Sequence, residues 1–185
     1  KRAGCLITYD PNYRAPLWEN ESIAIERMKE HLDKVDILNI SKEELYMLFG
    51  NDEEAAIRTA LSYGIRVMLV TDGANGASLY MRNGRVSLPA EKVNTVDTTG
   101  AGDIFFGTFL HEWLKNNSTL ADITVEKAAQ YLKKAIAVAG KSTERYGAVA
   151  SLSAIEKKRN RKERGFFPSE MIIIRTIIKQ LRQSS

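Results

Sequence analysis

Three short runs of β-branched and apolar residues, CLITYD (5–10), VDILNI (35–40) and IRVMLVT (65–71), are separated by stretches with helical spacing. Continuous apolar runs of this length are what strands buried on both faces require. When they alternate with helices, the arrangement that buries them all is a mostly parallel sheet flanked by helices on both faces, an α/β fold. Amphipathic or capped stretches at 19–34, 41–49, 51–63, 101–116 and 124–139 are the expected helices. ASLYM (77–81) and RVSLP (85–89) flank Arg82-Asn83-Gly84, a hairpin signal. In such sheets ligands sit at the carboxyl ends of the strands. DPNYR, TDGANG and DTTGAGD all fall there.

DTTGAGD, Asp97 to Asp103, opens a long amphipathic run. With a helix starting at Ala101 or Gly102, the amides of Gly100 to Asp103 have no carbonyl partner within the helix. They face outward at the positive end of the helix dipole, and the glycines let an anion approach the backbone. Asp103 would project beside the same spot. A carboxylate beside an anion site is electrostatically unfavourable unless it has a task, and taking the proton of an attacking hydroxyl is such a task. The bland alternative is an aspartate that compensates the dipole and a tight glycine turn. Ser41-Lys42-Glu43-Glu44 reads as a capping box, Ser41 capping the helix and Glu44 bonding back. Arg14 carries fork-shaped donors suited to a phosphate or sugar oxygen, or else fixes its own loop. His31 and His111 lack a second ligand at metal spacing, and Trp18 and Trp113 read as packing.

Composition adds limits. Apolar residues make up 44% of the 185, enough for a core. The net charge of +4 misleads: residues 157–185 carry nine Lys/Arg against two acids, a net of +7, leaving −3 for the rest. The composition breaks near 156, and 157–185 form a basic, isoleucine-rich tail. The tail lacks a recognisable nucleic-acid module, so a solvated charge run or a non-native terminus is the reading preferred over a nucleic-acid arm. One cysteine, Cys5, precludes an internal disulfide and fits a reducing compartment. No secretory pattern opens the chain, and Met171 to Ile178 is too short to span a bilayer. The expectation is a soluble cytoplasmic protein with no membrane partner.

DTTGAGD resembles the C-terminal signature of the ribokinase-like, or PfkB, sugar kinases. YDPNYRAPLW, ILNISKEEL, VTDGANGASLY and RYGAVASL agree with it and resemble the fructokinase branch, over about Cys5 to Ile155. The resemblance implies transfer of the ATP γ-phosphate to a sugar hydroxyl. It implies Asp103 as catalytic base and Gly100, Ala101 and Gly102 as anion hole. Asp97 and Thr99 would hold the loop and a monovalent cation, often potassium. ATP would lie near Thr71, Gly73, Gly76 and Gly147, although the TDGANG glycines alone would suit an ordinary turn. Glu44 would organise magnesium through water, with Ser41 where the family carries Asn. Arg14 would face the sugar, and Ala150 stands where a proline is usual.

Family members run to about three hundred residues, so the resemblance also implies a fold truncated at the N-terminus. The missing part would hold a Gly-Gly sugar loop and a small β lid that often mediates dimers. The chain alone is therefore expected to be weak or inactive as a kinase, with an exposed apolar edge. A homodimer is open for the full-length family only. The alternatives are a non-catalytic nucleotide-binding remnant and the basic-tail nucleic-acid binder.

Overall fold

The computed structural model describes residues 5–116 and 118–146. Five strands form one mixed sheet in the order β1 (Thr8–Tyr9), β2 (Ile37–Ser41), β3 (Val67–Thr71), β4 (Ala77–Met81) and β5 (Gly84–Leu88). β1, β2 and β3 pair in parallel, while β3–β4 and β4–β5 are antiparallel. Two reversals bring β5 back to the direction of β1–β3, so only β4 runs the other way. The helices are α1 (Glu21–Lys29), α2 (Lys42–Phe49), α3 (Glu53–Ser62), α4 (Ala101–Lys115) and α5 (Val125–Ser142).

The period of two along the central strands sorts the core into two layers. Leu38, Ile40, Met68 and Val70 face α1–α3, where Met28, Leu45 and Ile57 meet them. Ile37, Val67, Leu69 and Leu79 face α4 and α5, against Phe105, Phe109, Trp113 and Leu132. Phe105, Phe109 and Trp113 recur every fourth residue, so one stripe of α4 is buried and its N-terminus is fixed against the sheet. Trp113 is packed in this layer and Trp18 lies partly buried against the other.

Three local expectations shift. CLITYD forms only a two-residue strand whose single pairing partner among the described residues is β2, with Thr8 exposed. It is an edge, not a buried strand; Asp36 pins its start by accepting the Ile7 N–H at 3.0 Å. The helix expected over 19–34 ends at Lys29, and Leu32–Lys34 form a 3₁₀ turn. The tighter turn redirects the chain into extended Val35 two residues before β2 begins. In the hairpin Met81 pairs with Gly84, so the turn is Arg82-Asn83 and Gly84 already belongs to β5. A side chain at Gly84 would press on Val125 at 3.0 Å, so that glycine serves the approach of α5.

Gly147, Ala150 and the 157–185 tail lie outside the described residues. Among the described residues no helix is long and apolar enough to cross a membrane.

Candidate active site

The shared direction of β1, β2, β3 and β5 puts their carboxyl ends on one edge of the sheet. From that edge emerge the 10–14 loop, the start of α2, the 72–76 loop and the 89–100 segment leading to α4. Sequence motifs up to ninety residues apart are thus gathered by topology alone.

Gly100 is the N-cap of α4, left-handed at φ 76 and ψ 4, with no side chain capping it. Those angles are those of the third residue of a type II turn, which glycine alone adopts freely. The turn closes by an Ala101 N–H to Thr98 carbonyl bond of 3.1 Å. This corrects the expectation of four open amides, because Ala101 is already committed. The amides of Gly100, Gly102 and Asp103 have no acceptor among the described residues. Gly102 is exposed, and a Cβ there would touch nothing within 4 Å. The Asp103 side chain is exposed rather than turned into the core. The glycine corner is open, and a carboxylate stands beside it.

The loop before the corner is braced. Asp97 accepts the Thr99 N–H at 2.9 Å. The N–H groups of Val96 and Asp97 both donate to the Thr143 carbonyl, at 2.7 and 3.0 Å, just past α5. Asp97 and Thr99 therefore shape the loop.

Ser41 and Glu44 form the capping box: Ser41 Oγ accepts the Glu44 N–H at 3.1 Å and Glu44 Oε2 accepts the Ser41 N–H at 2.9 Å. Glu44 does more than the sequence pattern indicates. Its Oε1 accepts the Tyr13 N–H at 2.6 Å and ties the 10–14 loop to α2. Each carboxylate oxygen keeps one further lone pair for a water. Among the described residues no group of three or more His, Cys, Asp or Glu could hold a metal directly. The remaining lone pairs of Glu44 would suit a water of a hydrated magnesium ion, which takes few direct protein ligands.

Asp10 is the residue the sequence reading passed over. Its Oδ2 accepts from Asn39 Nδ2 at 2.9 Å. Burial pushes its carboxyl up from 3.8 to about 6, against the pull of the Asn39 hydrogen bond; the negative charges of Glu44 and Asp103 add to the rise. Because the folded value lies above the ordinary one, this group favours folding most below about pH 4, and that contribution is lost as pH rises through about 6. Asp10→Asn keeps the shape and removes the buried charge. It is expected to stabilise the chain at pH 7.5 by up to roughly 3 kcal/mol, with the gain vanishing near pH 4. Thermal unfolding at the two pH values reads this; equal gains at both would contradict it.

Around the 72–76 loop, Thr71 ends β3 and Gly73 is left-handed at φ 50 with open space beside it. Gly76 is packed closely against the chain itself. A Cβ there would lie 2.1 Å from the Leu88 carbonyl oxygen, so its missing side chain makes room for the chain's own backbone. Lys42 Nζ bridges Glu53 at 3.0 Å and Asp72 at 3.4 Å, tying this loop to α2 and α3. The strand register makes this link: Ser41 and Thr71 are partners, so Lys42 and Asp72 follow adjacent parallel strands at the same offset. Arg14 is exposed at the start of a 3₁₀ turn, and its side chain makes no hydrogen bond or ion pair among the described residues. A recess between Leu6, Asp36, Arg66, Trp113 and Leu120 lies at the opposite edge, without a base beside an anion site.

Comparison with known proteins identifies the family. The profile of the pfkB family carbohydrate kinases matches residues 1–155. A probable fructokinase-2 of Arabidopsis thaliana is 36% identical over 155 residues, 82% of this chain and 46% of that protein. A fructokinase structure with bound ATP from Xylella fastidiosa superposes with a TM-score of 0.74 at 27% identity, covering 85% of this chain and 54% of that one. A double-mutant fructokinase from Vibrio cholerae O395, bound to fructose, ADP and potassium ion, gives a TM-score of 0.71 at 25% identity over 82% of this chain and 49% of that one. The chain spans about half the length of the curated relatives it matches.

Proposed function

The chain belongs to the pfkB family of carbohydrate kinases, and from that premise we propose that it supplies the nucleotide-binding and phosphoryl-transfer half of a fructokinase. The reaction moves the γ-phosphate of ATP to the primary hydroxyl of fructose, giving fructose 6-phosphate and ADP. One observation carries this: the open amides of Gly102 and Asp103 at the start of α4, with the exposed Asp103 carboxylate beside them.

In this reading Asp103 accepts the proton of the attacking hydroxyl as the new O–P bond forms and the bond to ADP breaks. The α4 amides, aided by the helix dipole, stabilise charge on the phosphoryl oxygens in transit. Gly100 shapes the corner and Ala101 closes it, so these two act through geometry. Thr71 and Gly73 face the nucleotide, Gly76 holds their loop in place, and Gly147 is carried over by resemblance only. Arg14 faces the acceptor. Glu44 reaches magnesium through water, and that ion, when bound with ATP, offsets phosphate charge. Asp97 and Thr99 serve a monovalent cation, potassium, through the loop they close. The exposed thiol of Cys5 fits a reducing setting, and the cytoplasm is the proposed compartment.

A second reading is a nucleotide-binding remnant without turnover. One experiment separates the two. Mg·ATP binding and ADP release with fructose are measured for this chain alone and for a rejoined kinase, in which it follows the N-terminal half of the Arabidopsis relative. The proposal expects binding by the chain alone, very weak or no turnover, and turnover on rejoining. A rejoined protein that binds ATP but never releases ADP, while the relative's own halves rejoined in the same way do, supports the remnant. No ATP binding at all contradicts both.

A further inference from the structure

We propose that Asp10 is a positioning residue of this site: it holds the 10–14 loop in the conformation that presents Arg14 to the acceptor. The inference rests on the reading of Arg14 given above. Asp10 follows β1 directly and anchors the root of the loop to the neighbouring strand: its Oδ2 takes a hydrogen bond from Asn39 Nδ2 at 2.9 Å. Asn39 is 4% exposed in β2, a rigid mount, and its Oδ1 has no hydrogen-bond partner among the described residues. An orphaned buried acceptor is unfavourable by itself. Here the amide is turned so that its donor meets Asp10 and its acceptor goes without, which gives the carboxylate the first claim on it.

The next residues show what is being held. Asn12 is left-handed at φ 46, the one described non-glycine residue with positive φ. That conformation is uncommon outside glycine and marks a sharp turn two residues after Asp10. Tyr13 N–H is then taken by Glu44 Oε1 at 2.6 Å. The loop is thus held at its root by Asp10 on Asn39 and at Tyr13 by Glu44, and Arg14 follows with its side chain in solvent. Asp10 also feels the charge of Asp103, so the loop faces the start of α4. The negative charges of Glu44 and Asp103 both weigh against an ionised Asp10, and its hydrogen bond to Asn39 at the root of the loop works against that.

The test is a mutant cycle in the rejoined kinase with Arg14→Ala, Asp10→Ala and the double variant. Arg14→Ala is expected to raise the KM for fructose about 10–100-fold, the loss of a charged hydrogen bond. Asp10→Ala should raise it in the same direction, the double variant should be no worse than Arg14→Ala, and the KM for ATP should stay within about twofold. Should Asp10→Ala not fold, Asp10→Ser and amide exchange at Tyr13 in the chain alone carry the test. The expected result is exchange at least about tenfold faster as the loop opens more often. Effects that simply add, an ATP KM that rises equally, or unchanged exchange at Tyr13 would overturn the inference. If Arg14→Ala leaves the fructose KM unchanged, the reading of Arg14 falls and this inference falls with it; an effect of Arg14→Ala without one of Asp10→Ala removes the inference alone.

Discussion

Asp103→Asn in the rejoined kinase is expected to lower kcat by roughly 10²–10⁴-fold while Mg·ATP binding is retained. The carboxamide has the shape of the carboxylate but cannot accept a proton. Asp103 is exposed on the first turn of α4, and no core contact depends on it. The fold and the amides around it should therefore survive the change. An interaction made only in the transition state lowers kcat and kcat/KM together, so the KM for fructose should hold. A variant that keeps kcat within a few fold would show that the proton leaves by another route. A variant that loses ATP binding would show that Asp103 belongs to nucleotide recognition. The measurement is initial-rate ADP release at saturating and limiting fructose.

Gly76→Ala is expected to be the most destabilising single-atom addition in the described fold. At φ 107 and ψ −141 the backbone lies in a region only glycine occupies readily. The new methyl would meet the Leu88 carbonyl oxygen at 2.1 Å, the Ala90 nitrogen at 2.7 Å and the Pro89 carbonyl carbon at 2.7 Å. All three are backbone, which cannot turn aside as a flexible side chain would. Relief requires that the 72–76 loop and the end of β5 move apart, with the Asp72 N–H to Gly76 carbonyl bond of 2.9 Å at stake. Strain and clash together should cost about 3 kcal/mol or more, read as a lowered urea midpoint. ATP affinity should fall too, because the same movement displaces Gly73. Gly73→Ala has open space and only the backbone penalty, so about 1 kcal/mol is expected there. Equal losses at the two glycines would contradict this account of Gly76.

The contrast between these glycines shows what the sequence could and could not disclose. Both stood out in TDGANG, but only packing against Leu88–Ala90 separates their tasks. Features written in local pattern were legible. β2 and β3 follow from β-branched runs, the Ser41–Glu44 box from spacing, and α4 from the motif that opens it. Features made by distant chain segments were not. The Tyr13–Glu44 bond joins residues 31 apart and the Asn39–Asp10 bond residues 29 apart. No local preference encodes either; both arise because parallel strands place their carboxyl ends side by side. The shortening of CLITYD to an edge has the same origin, since burial depends on neighbours rather than on the run itself. Ala101 is a smaller case. Its amide looked open because helices lack partners there, yet the preceding Thr-Thr-Gly closes a turn onto it.

The central claim is that the start of α4 grips the phosphoryl group. Backbone amide shifts of the chain, followed while magnesium and a non-hydrolysable ATP analogue are added, test it most directly. The account predicts saturable shifts at Gly100, Gly102 and Asp103, in step with Thr71 and Gly73 and with the same midpoint. Shifts confined to other residues, such as those lining the recess at Arg66 and Trp113, with the α4 amides unmoved at saturation, would contradict it.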